Sequence, residues 1–359
     1  MNTQANTSTS HSKPKILVAR AIFPEALAKL EESYEVHSNQ SDKILSPEEL
    51  QKALSEVEGA LVAGSERIDA AALAQAKNLK VVANISVGYN NFDVPAITAA
   101  GVMATNTPDV LTDTTADFGF ALLMATARRI TESEHWVRAG KWDQWSIVNN
   151  PLGMDLHHST IGIIGMGRIG QGIAKRALAF GMKVIYNNRS RLSDADEKAC
   201  GATYVSKEEL LRTADHVVLV LPYTAQNHHT IGAKEIALMK PTATLINIAR
   251  GGIVDDLALA QALKEKKIFA AGLDVFEGEP QINPELLKLS NVVLAPHIAS
   301  ATEKTRRAMV DLAIENFHAL VKSYGLPAYV VGVKDDPKEI LRWEALANLP
   351  EESLGKGLW

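Results

Sequence analysis

At 359 residues the chain is long enough for two or three domains with sizeable cores, which excludes a small scaffold held together by disulfides. Apolar residues make up 46% and charged residues 22%, a globular balance that excludes a disordered or fibrous chain, and a net charge of −5 without a basic run excludes an electrostatic grip on nucleic acid or an anionic membrane. One cysteine, Cys200, no apolar core near the N-terminus and no apolar run of about 20 residues point to the reducing cytoplasm, with no internal disulfide, signal peptide or membrane span.

Residues 1–13 are rich in Ser, Thr and Asn without periodicity and are expected to be a disordered leader. From Lys15, short apolar runs alternate with amphipathic segments: KILVA, a helix over Pro24–Ser33, ALVAG at 60–64, a helix over 69–76, VVANIS at 81–86 and VMATN at 102–106. Apolar runs of four to six residues separated by helices predict a buried parallel sheet. One long helical pattern over 114–140 follows, with Thr112 or Asp113 placed to cap it, and is expected to connect two domains. A second series of apolar runs begins at 160–165 and continues at 183–187, 216–221, 243–249, 269–275 and 291–297, which predicts a second parallel sheet of about six strands. The helical segment 301–324 is placed to return to the first domain. The expected organisation is therefore a substrate domain from 14–112 with 300–330, a dinucleotide-binding domain from 113–299 inserted into it, and a tail from 331–359. That tail holds one short amphipathic helix pattern containing Ile340, Trp343 and Leu346.

Gly165-Met166-Gly167-Arg168-Ile169-Gly170 follows a predicted strand and opens a predicted helix. In that setting the first glycine makes the tight turn, the second admits a pyrophosphate to the backbone, and the third lets helix pack on strand. A carboxylate that would hold the ribose 2′-hydroxyl of NAD is missing after the next strand, where the chain reads Asn188-Arg189-Ser190-Arg191. Removing that negative charge and supplying Arg189, with Arg191 as a second candidate, suits the 2′-phosphate of NADPH and puts NADH second. A solvated loop with incidental arginines is the plain alternative.

Taken in order, Asn84-Ile85-Ser86-Val87-Gly88-Tyr89-Asn90-Asn91, the GMGRIG turn, Asn247-Ile248-Ala249-Arg250-Gly251, Asp274-Val275-Phe276-Glu277-Gly278-Glu279-Pro280 and Pro296-His297-Ile298-Ala299-Ser300 resemble the D-isomer-specific 2-hydroxyacid dehydrogenases from Lys15 to about Pro327. VLTDTTAD at 110–117 and the run into GMGRIG are most similar to the glyoxylate/hydroxypyruvate reductase and 2-ketogluconate reductase branch. The resemblance implies a Rossmann-type domain inserted in a flavodoxin-like α/β domain, a homodimer, and a small 2-keto or 2-hydroxy acid as substrate.

The residues themselves allow that chemistry. Reduction of a 2-keto acid needs a cation for the carboxylate, a proton donor for the developing alkoxide and a hydride from a nicotinamide. Arg250 offers a planar fork for carboxylate and carbonyl oxygens, His297 can hold or release a proton near neutrality, and Glu279 is suited to orient it. All three lie just past apolar strands, where α/β sheets place their ligands. The resemblance assigns these roles to the same residues, and adds the backbone N–H groups of Val87 and Gly88 as carboxylate donors. It also implies cofactor contacts from Thr115, Gly165, Gly167, Arg168, Ile169, Gly170, Asn188, Arg189, Ser190, Pro222, Ile248, Ala249, Asp274 and His297, with Asp274 alternatively orienting Arg250. Trp145 matches a tryptophan that reaches the neighbouring subunit's substrate site, with a packing role as the alternative.

No metal site is expected, because the neighbours His157-His158 and His228-His229 would point opposite ways in extended chain and no thiolate accompanies them. Other readings are a phosphoglycerate dehydrogenase, opposed by the missing acidic residue, a formate dehydrogenase, opposed by Glu279, and a nucleotide-sensing corepressor of the same family.

Overall fold

A computed structural model describes residues 13–323 and 345–347. The disordered leader expected for residues 1–13 thus lies outside the described residues except for Lys13, whose ammonium donates to the carbonyl of Glu31.

The chain divides into two units, one built from the residues up to Val110 together with the segment from Glu303 onward, the other from Leu111–Thr302. In the first unit the strands are β1 (Lys15–Val18), β2 (Glu35–Ser38), β3 (Gly59–Val62), β4 (Val81–Asn84) and β5 (Met103–Thr105), connected by α1 (Pro24–Ser33), α2 (Pro47–Ser55), α3 (Ala70–Leu73) and α4 (Val94–Ala99). They pair in the order β5-β4-β3-β1-β2, all parallel, which is the flavodoxin-like order. β3 and β4 are buried along their whole length, because helices cover both faces of a parallel sheet.

The second unit begins with α5 (Thr112–Ala127) and α6 (Ile130–Arg138). It continues through β6 (Thr160–Ile164), α7 (Arg168–Ala179), β7 (Lys183–Asn187), α8 (Asp194–Cys200), β8 (Ala202–Tyr204), α9 (Lys207–Thr213), β9 (His216–Leu219), α10 (Ala233–Ile236), β10 (Thr244–Asn247), α11 (Asp256–Lys264), β11 (Ala270–Leu273) and β12 (Val292–Leu294). Its parallel strands pair as β12-β11-β10-β9-β6-β7-β8. Counted from β6 this is the doubly wound Rossmann order, in which the strand sequence reverses between β6 and β9. In the first unit, α12 (Glu303–Ser323) follows and packs on β3, β4 and β5.

Several elements differ from the sequence reading. The helix expected over 114–140 is two helices, α5 and α6, separated at Arg129, whose φ is +53°. Returning chain ends α5: Met154 N–H donates to the carbonyl of Ala127, and a Cβ on Gly153 would lie 2.7 Å from that same oxygen. No side chain caps the start of α5, so neither Thr112 nor Asp113 has the expected role. Apolar on most sides, α5 lies in the second core, where Gly119 admits Ile248 and Gly172 of α7 admits Ala116. The second sheet has a seventh strand, β8, and the first has β2. Both are short edge strands whose half-exposed sequences lack a long apolar run.

Of the helix expected around Ile340, Trp343 and Leu346, only Leu346 is described. It belongs to a strand, Ala345–Ala347, that runs antiparallel to β5 and satisfies part of its edge. Among the described residues no helix is long and apolar enough to cross a membrane.

Candidate active site

At the carboxyl ends of β10, β11 and β12 the second unit gathers four of the candidate side chains, Arg250, Asp274, Glu279 and His297. β10 ends at Asn247, which is buried, and its side chain shapes the turn that follows: Oδ1 accepts from Ala249 N–H at 3.0 Å and Nδ2 donates to the carbonyl of Arg250 at 3.3 Å. Arg250 is partly buried, with one guanidinium N–H on the carbonyl of Ala249 at 2.7 Å. Burial lowers its affinity for its proton, while the nearby negative charges of Glu279 and Asp274 oppose that loss. Gly251 is required beside it, because an added Cβ would fall 1.8 Å from the carbonyl oxygen of Phe276. The Arg250 turn therefore packs directly on the segment that carries Glu279.

β11 runs into Asp274, which is fully buried. Its carbonyl accepts from His297 N–H at 2.9 Å, and its carboxylate accepts from Ile298 N–H at 2.8 Å and Ala299 N–H at 2.9 Å. Burial pushes this carboxyl up, against the pull of the two N–H donors. Held by those three bonds, His297 takes a left-handed backbone with φ of +55°, an uncommon conformation for a residue with a side chain. Its Nδ1 lies 2.8 Å from Glu279 Oε2, while Glu279 Oε1 accepts from Phe276 N–H at 2.8 Å. Burial works against the Glu279 carboxylate, but the bond to His297, the backbone donor and the field of Arg250 together hold it below the usual carboxylate range. With Nδ1 committed to Glu279, Nε2 has no partner among the described residues and is the ring atom open to a substrate.

The GMGRIG turn lies at the end of β6, at the point where the strand order reverses. Gly165 has φ of +103°, and a Cβ there would meet the backbone of Val220 at 2.6 Å. A Cβ on Gly170 would meet the carbonyl of Gly165 at 2.3 Å, whereas one on Gly167 would meet nothing within 4 Å. Gly167 caps α7 without a side-chain bond, and a helix N-terminus that follows such a glycine turn is suited to a pyrophosphate. Thr115 on α5 is buried with its hydroxyl unpartnered among the described residues. These features fit a dinucleotide.

Asn188 braces the turn itself, its Oδ1 accepting from Met166 N–H at 2.6 Å. Arg189 and Ser190 are exposed, and Arg189 makes no ion pair among the described residues. Arg191 does not share that freedom. Its guanidinium makes two 2.8 Å bonds to Glu197, which also accepts from Tyr186 Oη at 2.6 Å, so a phosphate at Arg191 would compete with that carboxylate. These bonds hold the Glu197 carboxyl down to about 2. Ile248 and Ala249 are buried at the end of β10, and Pro222 is exposed after β9.

In the first unit, Val87 and Gly88 lie in the loop after β4. Buried asparagines hold their carbonyls: Asn106 Nδ2 donates to Val87 at 2.8 Å and Asn84 Nδ2 to Gly88 at 2.9 Å. The N–H groups of Val87 and Gly88 have no acceptor among the described residues. Asn91 secures the far end of the loop to the carbonyls of Ala63 and Glu66. The sequence reading did not assign these bracing roles to Asn84, Asn91, Asn106 or Asn247. Buried amides inside apolar strand ends were the available signal, because such groups must find partners.

Trp145 is 74% exposed among the described residues. Cys200 ends α8 rather than lying in a loop, and burial pushes its thiol up, away from reactivity.

A doubly wound dinucleotide fold with an Arg, Glu and His set at its strand ends defines a nicotinamide-dependent oxidoreductase. Comparison with known proteins makes the class specific. The D-isomer specific 2-hydroxyacid dehydrogenase NAD-binding domain matches residues 120–299. A glyoxylate reductase of Thermococcus onnurineus is 47% identical over 310 residues, 86% of this chain and 92% of that one. Another from Pyrococcus furiosus is 46% identical over 321 residues, 89% and 95% of the two chains. Among solved structures, an NADPH-dependent glyoxylate/hydroxypyruvate reductase from Sinorhizobium meliloti, in complex with NADP and malonate, superposes with a TM-score of 0.78 at 34% identity, covering 90% of this chain and all of the other. The chain belongs to the D-isomer-specific 2-hydroxyacid dehydrogenases and is an NAD(P)-dependent dehydrogenase.

Proposed function

We propose that the protein reduces small 2-keto acids, glyoxylate and hydroxypyruvate first and 2-ketogluconate next, to D-2-hydroxy acids with NADPH. The observation that carries this reading is the 2.8 Å contact of His297 Nδ1 with Glu279, a carboxylate that also lies in the field of Arg250. Arg250 binds the substrate carboxylate and the adjoining carbonyl oxygen through its fork. As negative charge develops on the carbonyl oxygen, His297 gives it the proton from Nε2, and Glu279 steadies the resulting change of charge on the ring. A nicotinamide dinucleotide held by Gly165, Gly167, Arg168, Ile169, Gly170, Thr115, Asn188, Ser190, Pro222, Ile248 and Ala249 supplies the hydride when bound. Asp274 acts here as a positioning residue for His297. Arg189 selects NADPH by pairing with the 2′-phosphate.

The working assembly proposed is a homodimer in the cytoplasm, with residues 14–112 and 300–330 as substrate domain and 113–299 as dinucleotide domain. Supporting the dimer, Trp142, Trp145, Ile147, Val148 and Leu152 are exposed in succession after α6, an apolar run suited to burial against a second copy. On this reading Trp145 reaches the partner's substrate.

The test is a panel of glyoxylate, hydroxypyruvate and 2-ketogluconate, each assayed with NADPH and NADH for kcat/KM. Turnover of glyoxylate or hydroxypyruvate with NADPH favoured over NADH is expected. Absence of turnover across the panel, with nucleotide still bound tightly, would overturn the reading.

A further inference from the structure

Against the turn that follows Arg250, where a Cβ on Gly252 would lie 3.2 Å from the His228 ring, the second unit brings His228, His229 and Glu277 together on its surface. The expectation that adjacent histidines point apart fails here because the chain is not extended. The pair follows a 3-10 turn at Ala225–Asn227, and His229 has a left-handed φ of +50°, fixed by its N–H bond to the carbonyl of Gly252 at 2.7 Å. Both rings consequently lie on one side, stacked with centroids 3.8 Å apart, and joint ligation of one tetrahedral ion requires them to splay to about 5 Å. Glu277 Oε1 is 3.1 Å from His229 Nε2 and 3.9 Å from His228 Nε2. Zinc bonds of about 2.0–2.1 Å in a tetrahedron place ligand atoms about 3.3–3.4 Å apart, a spacing those two distances bracket.

The atoms behind the rings strengthen the case. Tyr223 Oη lies 3.2 Å from His228 Nδ1, and Asp255 Oδ2 lies 3.9 Å from His229 Nδ1. The Tyr223 oxygen thus stands behind the His228 imidazole as an outer partner does when a histidine ligates through Nε2, while Asp255 adds only its charge near His229. Asp256 accepts from Glu277 N–H at 3.0 Å and anchors the third ligand's backbone. Asp255 and Asp256 add negative charge beside the group.

We propose that His228, His229 and Glu277 form a site for one divalent transition-metal ion of the zinc class, with water completing the tetrahedron. Two nitrogens and one carboxylate oxygen suit such an ion better than Mg²⁺ or Ca²⁺, which take oxygen ligands. The ion would tie the 228–229 turn to the segment Phe276–Glu279 and so stabilise the second unit.

The experiment uses the full chain, stripped with a chelator and titrated with Co²⁺ and then Zn²⁺, followed by calorimetry and by visible absorption, in which tetrahedral Co²⁺ shows strong bands. One equivalent per chain, a tetrahedral Co²⁺ spectrum lost on adding Zn²⁺, and a rise in Tm with Zn²⁺ are expected. Glu277→Gln and His228→Asn should each weaken binding at least tenfold. Tyr223→Phe should weaken it roughly tenfold while leaving the ligands in place. Metal-free NADPH binding by each variant reports that it is folded. The proposal is overturned by absence of one-equivalent binding, or by binding and spectrum that persist unchanged in Glu277→Gln and His228→Asn, which would locate the ion elsewhere, His157-His158 included.

Discussion

Two turns of the second unit do opposite kinds of work. The turn at Asp274 and His297 is cross-braced: a fully buried carboxylate takes two backbone N–H groups, and His297, whose ring reaches solvent, is held by backbone on one side and Glu279 on the other. The turn at Asn188–Arg191 is braced only at its first residue and then opens to solvent, with Arg189 exposed. In the first, geometry decides and a small displacement is costly. In the second, charge decides and water and salt dilute the effect.

The largest effect is expected at His297. His297→Asn should lower kcat by about 10²–10⁴ with nucleotide affinity nearly intact, measured by steady-state kinetics and cofactor titration. Because reduction consumes a proton from the ring and oxidation returns one, the two directions should show opposite pH dependences, and a variant retaining most of its kcat both ways removes His297 from the chemistry. Arg250→Lys keeps the charge and loses the fork. It should cost roughly 2–4 kcal/mol of transition-state stabilisation, about 30- to 1,000-fold in kcat/KM.

The bracing residues come next. Asp274→Ala leaves the N–H groups of Ile298 and Ala299 without their acceptor, and chemical denaturation should show a loss of roughly 2–4 kcal/mol. Glu279 has a pH signature of its own. Its folded carboxyl is held below its ordinary value of 4.5, so its stabilising contribution is complete above pH 4.5 and is lost as pH falls through the lower folded value. Glu279→Gln should therefore flatten the acid limb of a stability profile below pH 4.5. An unchanged profile would mean that the His297 pair contributes nothing to the native state.

At the exposed turn the effects shrink. NADPH should be preferred to NADH by roughly 10- to 150-fold in kcat/KM, since each 1.4 kcal/mol is tenfold, and the preference should fall as salt is raised. Arg189→Ala should remove most of it, and adding Asn188→Asp should invert it. Equal use of both nucleotides by the unaltered protein would reduce Arg189 to a solvated side chain. Smallest of all, Glu197→Gln frees Arg191 from its carboxylate and should raise the NADPH preference a few-fold, the scale of an exposed ion pair.

The same contrast explains what could be read in advance. Strands such as Val81–Asn84 and Thr244–Asn247 announce themselves because both faces of a parallel sheet are covered, which demands unbroken apolar runs. The Gly165–Gly170 turn is legible for a related reason, since close approach of backbone to backbone admits only glycine at its ends. Edge strands β2 and β8 carry no such demand, and α5, apolar on most sides, has no polar face to mark where it stops.

By itself, the order of residues determined the two α/β sheets and the dinucleotide turn and marked Arg250, Glu279 and His297 as candidates, because periodicity, glycine sterics and side-chain chemistry are local properties. Tertiary structure alone decided that Glu279 and His297, eighteen positions apart, share a 2.8 Å contact, that Asp274 holds the histidine rather than standing free, that Glu197 claims Arg191, and that His228 and His229 face the same carboxylate. Each of these depends on where separate strand ends and a left-handed turn bring the chain, and local sequence carries no measure of distance between segments that meet only after folding.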